Sequence, residues 1–152
     1  MIRKTRKFAS TASFWLACVG AFAQPAWPNG FESPSGNIVC YLDVFSDTPY
    51  DQKALHCLIF LADWDMPPDY GDNDPTCDLD RTRIVILPPE APASARWVCH
   101  GDVFWPYPQG ALSYGSEWSL PTFTCSVAQD GVRCRNEAGQ GFHLRRSALV
   151  LE

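Results

Sequence analysis

Cysteine placement constrains this chain more than any other feature. Six of its seven cysteines, Cys40, Cys57, Cys77, Cys99, Cys125 and Cys134, are spread along the sequence with at least eight residues between neighbours. No C-x-x-C pair occurs, so the close thiolate spacing of a structural zinc site is missing. His56 beside Cys57 and His100 beside Cys99 are not at ligand spacing either, so no metal and no other cofactor is expected.

The seventh cysteine, Cys18, lies in a different kind of segment. Arg3, Lys4, Arg6 and Lys7 precede a mostly apolar run from Phe14 to Ala23, which ends in Ala21-Phe22-Ala23. A basic start, a short apolar run and a small-x-small end are the layout of a cleaved secretory signal. Cys18 then belongs to the discarded leader. Trp15 before it and the apolar residues after it do not fit a lipidation site. The run is too short for a membrane span of ~20 residues, and no later stretch approaches that length. The expectation is a signal over 1–23 with cleavage near Ala23, a Pro-rich flexible lead-in over 24–30, and one domain over 31–152, exported to the periplasm or the medium. Six cysteines in an oxidising compartment read as three disulfides.

Losing residues 1–23 removes four of twelve basic residues and no acidic one, which takes the net charge from −5 to −9. A chain left with the single lysine Lys53 lacks the clustered cations that nucleic acid or anionic membrane surfaces require. The charge is also uneven. Ten aspartates lie between Asp43 and Asp80, whereas Arg133, Arg135, Arg145 and Arg146 lie near the other end.

Strand signals dominate. From Ile38 the pattern alternates, with Ile38, Cys40, Leu42 and Val44 on one face. Ala54 to Leu61, Thr82 to Leu87, Trp97 to Cys99, Thr122 to Val127, Val132 to Arg135 and Gly141 to Leu144 are further strands. Ser147 to Leu151 is a strand or a short helix. The turn clusters Ser33 to Asn37, Pro88-Pro89, Gln129-Asp130-Gly131 and Asn136 to Gly139 separate them. The fold class is mainly β: a small antiparallel sheet or barrel-like domain with long loops and three disulfides. A turn over Ala128 to Gly131 sets Cys125 opposite Cys134, within disulfide reach. Adjacent strands point to Cys40–Cys57. Cys77 and Cys99, which flank the 82–87 strand, form the remaining pair.

Several stretches carry a resemblance. They are Phe31-x-Ser33-Pro34-Ser35-Gly36-Asn37-Ile38-x-Cys40, Cys99-His100-Gly101-Asp102, Tyr114-Gly115, Cys125-Ser126, Gly131-Val132-x-Cys134 and Gly139-x-Gly141-Phe142-x-Leu144. Together they resemble a family of small exported bacterial domains of unknown function, from about Phe31 to Arg146. The family pattern has Pro before the Tyr-Gly pair and Ser-Arg after the closing leucine, where this chain has Ser113 and Arg145-Arg146. The resemblance implies export and disulfides and assigns no activity.

Candidate site residues cluster after Cys99. His100 and Asp102 offer a base and its orienting carboxylate, although a plain turn after Cys99 is the better reading of His100-Gly101-Asp102. Trp105, Tyr107, Tyr114 and Trp118 offer aromatic contact area, with Trp105 and Tyr107, between prolines, the most exposed. Asp72, Asp74, Asp78 and Asp80 are hard-oxygen groups, but the EF-hand order is absent, and a solvated acidic loop is the better reading. No nucleophile motif accompanies His100. The leading reading is a non-catalytic domain that binds an extracytoplasmic protein or envelope component. The alternatives are a small hydrolase or carbohydrate-acting enzyme using His100, Asp102 or Glu117, and an inhibitory or purely structural domain.

Overall fold

Strand pairing follows chain order in both halves of the protein. The structure, a computed structural model, describes residues 29–44, 46–66, 76–102 and 110–152. The first half forms β1 (Gly30–Glu32), β2 (Ile38–Leu42), β3 (Leu55–Ile59), β4 (Asp80–Leu87) and β5 (Ser94–His100). The second forms β6 (Glu117–Leu120), β7 (Phe123–Ala128), β8 (Gly131–Asn136), β9 (Gly141–Arg145) and β10 (Ala148–Leu151). Each half is a five-stranded antiparallel meander, ordered β1 to β5 and β6 to β10. A single 3-10 turn (Tyr50–Gln52) is the only helical element among the described residues.

The mainly β expectation holds, with two sheets in place of one. They share one core. Phe31, Leu42, Leu55, Ile59 and Leu87 from the first sheet and Trp118, Phe123, Val127, Phe142 and Leu144 from the second form one buried cluster. In β7 and β8 burial alternates residue by residue, as the period of two requires for a sheet with one wet face. Every residue of β2 is buried, because the outer face of the first sheet is also apolar. Val39, Tyr41, Leu58 and Ile84 form a second, smaller cluster there.

All three expected disulfides are present. Cys40 is paired directly with Cys57 across β2–β3, and Cys125 with Cys134 across β7–β8, each with Cα atoms 4.1 Å apart. The two bonds meet between the sheets: the sulfurs of Cys40, Cys57 and Cys134 lie within 4.8 Å of one another. Cys77–Cys99 differs, because Cys99 is exposed on the edge strand β5.

Two elements escaped the sequence reading. β1 begins inside the expected lead-in: Phe31 pairs with Cys40, and Leu42 N donates to Asn29 O at 2.8 Å. β6 holds Trp118, whose ring packs against Phe31 at 5.4 Å between centroids. β1 is also tied to the segment that precedes β6, through Glu32, whose main chain bonds Gly110 and Leu112. At one end of the molecule the buried Asn136 of β8 donates to Pro88 O and Ala91 O in the β4–β5 loop. At the other end Trp64 Nε1 donates to Arg145 O at 3.0 Å.

Signal residues 1–23, lead-in residues 24–28, Asp69, Asp72 and Asp74 of the acidic loop, Trp105 and Tyr107 lie outside the described residues.

Two outcomes follow from burial. Titration with a mild reductant, followed by alkylation and peptide mapping, is expected to open Cys77–Cys99 well before the two core disulfides, whose sulfurs no reagent reaches in the folded state. The second outcome concerns His56, stacked edge-on against Tyr41 on the outer face of the first sheet. Burial lowers the His56 pKa below 6.5, with Arg96 adding to the shift and Asp43 opposing it. The unfolded chain therefore takes up the proton first. Stability should fall as pH drops below 6.5 and level off below the depressed folded-state pKa. Urea denaturation across this range should show the slope in the native protein and a shallower one in His56→Gln.

Candidate functional site

Turns from both sheets meet at the end of the sandwich where Trp64 bonds Arg145. The first is the β1–β2 turn. Ser33 Oγ accepts from Ile38 N at 3.0 Å, and Gly36 supplies the positive φ of +70° that closes the turn. Asn37 then buckles this turn to the segment after β3. Its Nδ2 donates to Leu61 O (2.9 Å), and its Oδ1 accepts from Leu61 N (2.7 Å). The same segment reaches across to the second sheet. Asp63 N donates to Arg146 O (2.8 Å), and the Asp63 carboxylate takes the Arg146 guanidinium at 3.1–3.3 Å. The charge asymmetry of the sequence is thus used once inside the fold. Arg133 and Arg135 pair instead with Glu152.

The β7–β8 turn completes the wall. Gly131 has φ +127°, and a Cβ there would lie 2.8 Å from the Arg145 Cβ and 2.3 Å from Leu144 O. Its lack of a side chain leaves room for the Arg145 stem. Behind it, the Arg133 guanidinium donates to His143 Nδ1 at 3.0 Å. The ring proton therefore sits on Nε2, facing Asp130 at 3.7 Å.

These turns enclose a cleft of about 290 Å³. Ser35, Asn37, Gln129, Asp130, Arg145 and Ser147 line it, together with Tyr114, which is 46% exposed. Arg145 is set apart from its neighbours. It forms no ion pair among the described residues, and its Nε is buried without a hydrogen-bond partner. Its main chain is fixed by Trp64, so the guanidinium stem leaves a rigid strand end.

The residues singled out in the sequence are dispersed. His100 ends β5, where Asp102 O takes the proton of Nδ1 (3.0 Å) and the Thr82 hydroxyl donates to Nε2 (2.8 Å). The Asp102 link runs through its main-chain carbonyl, so the pair does not form the base–carboxylate arrangement. Thr82 occupies the nitrogen that a general base would use. Trp118 is fully buried and offers no surface to a ligand. Glu117 is exposed on β6, paired with Ser126. Of the four candidate binding residues that are described (His100, Asp102, Tyr114 and Trp118), Tyr114 alone lines the cleft. Arg145, Asp63 and Asp130 were missed. The alternation of β9, with Phe142 and Leu144 inward, was the available signal that Arg145 turns outward.

Three stretches that carry the family resemblance contribute residues here: Ser33 to Asn37, Tyr114 and Gly131. A family of unknown function, DUF6636, matches residues 12–152. The chain belongs to this family. No curated protein and no solved structure matches it.

In this DUF6636 domain the cleft depends on the Asn37 buckle. Asn37→Ala removes two hydrogen bonds to Leu61 and is expected to cost about 1–3 kcal/mol in chemical denaturation. Amide exchange should rise at Leu61 and Asp63 while β7–β8 stays protected.

Proposed function

We propose that this is an exported, non-catalytic binding domain that engages an extracytoplasmic protein or cell-envelope component at the cleft. The observation that carries the reading is the cleft itself, where turns of both sheets bring Ser35, Asn37, Gln129 and Arg145 together. Tyr114 in its lining supplies exposed aromatic area of the kind that anchors partners. Export is supported by the leader layout of residues 1–23 and by three disulfides, which persist in oxidising compartments.

The hydrolytic reading has less support. His100 is engaged by Thr82 and by the Asp102 main chain, and neither residue lines the cleft.

Cell fractionation with N-terminal sequencing is expected to find the chain outside the cytoplasm, starting near Gln24. Immobilised native protein should then retain a partner from the extracytoplasmic fraction that Arg145→Ala and Tyr114→Ala lose. A cytoplasmic, reduced protein, or equal retention by all three baits, would sink the proposal.

A further inference from the structure

We infer that the free edge of β10 docks an extended peptide strand of a partner protein, with alternating apolar residues and a basic residue at one end, which joins the second sheet as its sixth strand. This surface shares no lining residue with the turn cleft, so it goes beyond the binding role proposed there.

Strand register identifies the groups that are free. Gly141 and Glu152 exchange both main-chain hydrogen bonds, at 2.8 and 2.9 Å, which makes them a hydrogen-bonded pair at the end of β9–β10. Such pairs recur at every second residue, so Val150 and Ala148 also turn their main-chain groups to β9. The N–H and C=O of Leu149 and Leu151 then point the other way, to the open side of the sheet. The strand reads Ala-Leu-Val-Leu, with neither the charge nor the proline that blunts an exposed edge. The other edges are treated differently. Glu32 ties β1 to Gly110 and Leu112, Cys99 of β5 carries the bridge to Cys77, and β6 opens with the charged Glu117.

The surroundings of this edge set the side-chain chemistry. Leu149 and Leu151 line a groove of about 400 Å³ together with Ala95 of β5, Trp64 and Met66. Strand addition takes its affinity from main-chain bonds and its specificity from pockets for alternate side chains, and this lining suits aliphatic ones. The groove is formed before a partner arrives: Trp64 Nε1 donates to Arg145 O, and the Arg83 guanidinium stacks on the Trp64 ring at 5.3 Å. Asp65 is the one charged residue of the lining, and it forms no ion pair among the described residues. The Arg83 guanidinium is held by the rings of Trp64 and Trp97. A carboxylate with no cation in the groove complements a Lys or Arg on the incoming strand. The net charge of −5 acts in the same sense over longer range.

The test is amide hydrogen exchange and NMR titration of the oxidised protein with acetyl-Lys-Leu-Thr-Leu-Thr-Leu-amide. In the free monomer the amides of Leu149 and Leu151 should exchange rapidly while Val150 stays protected. The peptide is expected to slow both leucine amides at least ten-fold at saturation and to shift amides at 64–66 and 148–151. The same peptide N-methylated at its three leucines, which cannot donate to β10, should bind at least ten-fold more weakly. Glu in place of Lys should weaken binding at least three-fold, and Asp65→Asn should abolish that preference. Equal binding of the N-methylated peptide, a Lys preference that is missing or that Asp65→Asn keeps, or protection at Ala95 and Trp97 in place of Leu149 and Leu151 would each overturn the inference. Slow exchange of both leucine amides in the free monomer would show the edge already filled, and protection that rises with protein concentration alone would assign it to a second copy; either result overturns it too. The peptide comparisons use native protein, so they decide even if the variant does not fold.

Discussion

The contact between two disulfides at the centre of the core is the constraint on which the rest of the structure depends. Each bond locks a directly opposed residue pair within its own sheet. The sulfurs then pack against one another between the sheets, at 0–1% exposure. A register slip of one residue in β2–β3 or β7–β8 would separate the paired cysteines and turn every inward side chain outward. The bonds thus fix register first and add cohesion second. With register fixed, Phe31 meets Trp118 across the core between the two meanders.

The two ends of the sandwich use that frame differently. At one end Asn136 satisfies two loop carbonyls and acts as a polar rivet. At the other, Asn37, Asp63 and Trp64 join the turns but leave Arg145 unmatched. The Asn136 end has an unsatisfied buried atom of its own, Gln140 Oε1. The faces differ as well. The second sheet keeps a wet face with Arg133, Arg135 and Glu152. The first is apolar on both sides, which is why His56 sits in surroundings that disfavour its charge.

Much of this frame is legible in the sequence, and the reasons are local. The β7–β8 hairpin is readable because Gln129-Asp130-Gly131 lies between two alternating runs, and the symmetry of that turn pairs Cys125 with Cys134. β1 and β6 are not readable because three or four residues are too short for a period to emerge. Trp118 drew notice as a ligand contact, but it sits between the exposed Glu117 and Ser119, and that alternation marks it as inward. The cleft lies beyond sequence reasoning for a different cause. Its walls come from turns that are distant along the chain, and only the stacking of the two sheets brings them together.

The pairing pattern of the cysteines bears on how the protein matures. Cys40 joins Cys57, Cys77 joins Cys99, and Cys125 joins Cys134, so the six cysteines pair consecutively along the sequence. From Cys40 onward, a chain that emerged from its N-terminus into an oxidising space would present the right partner next. An oxidant acting in order of emergence therefore produces the native set without reshuffling. The first meander can close before the second has appeared. The slow step of many disulfide proteins, the rearrangement of wrong pairs, is one that this arrangement avoids by sequence order alone.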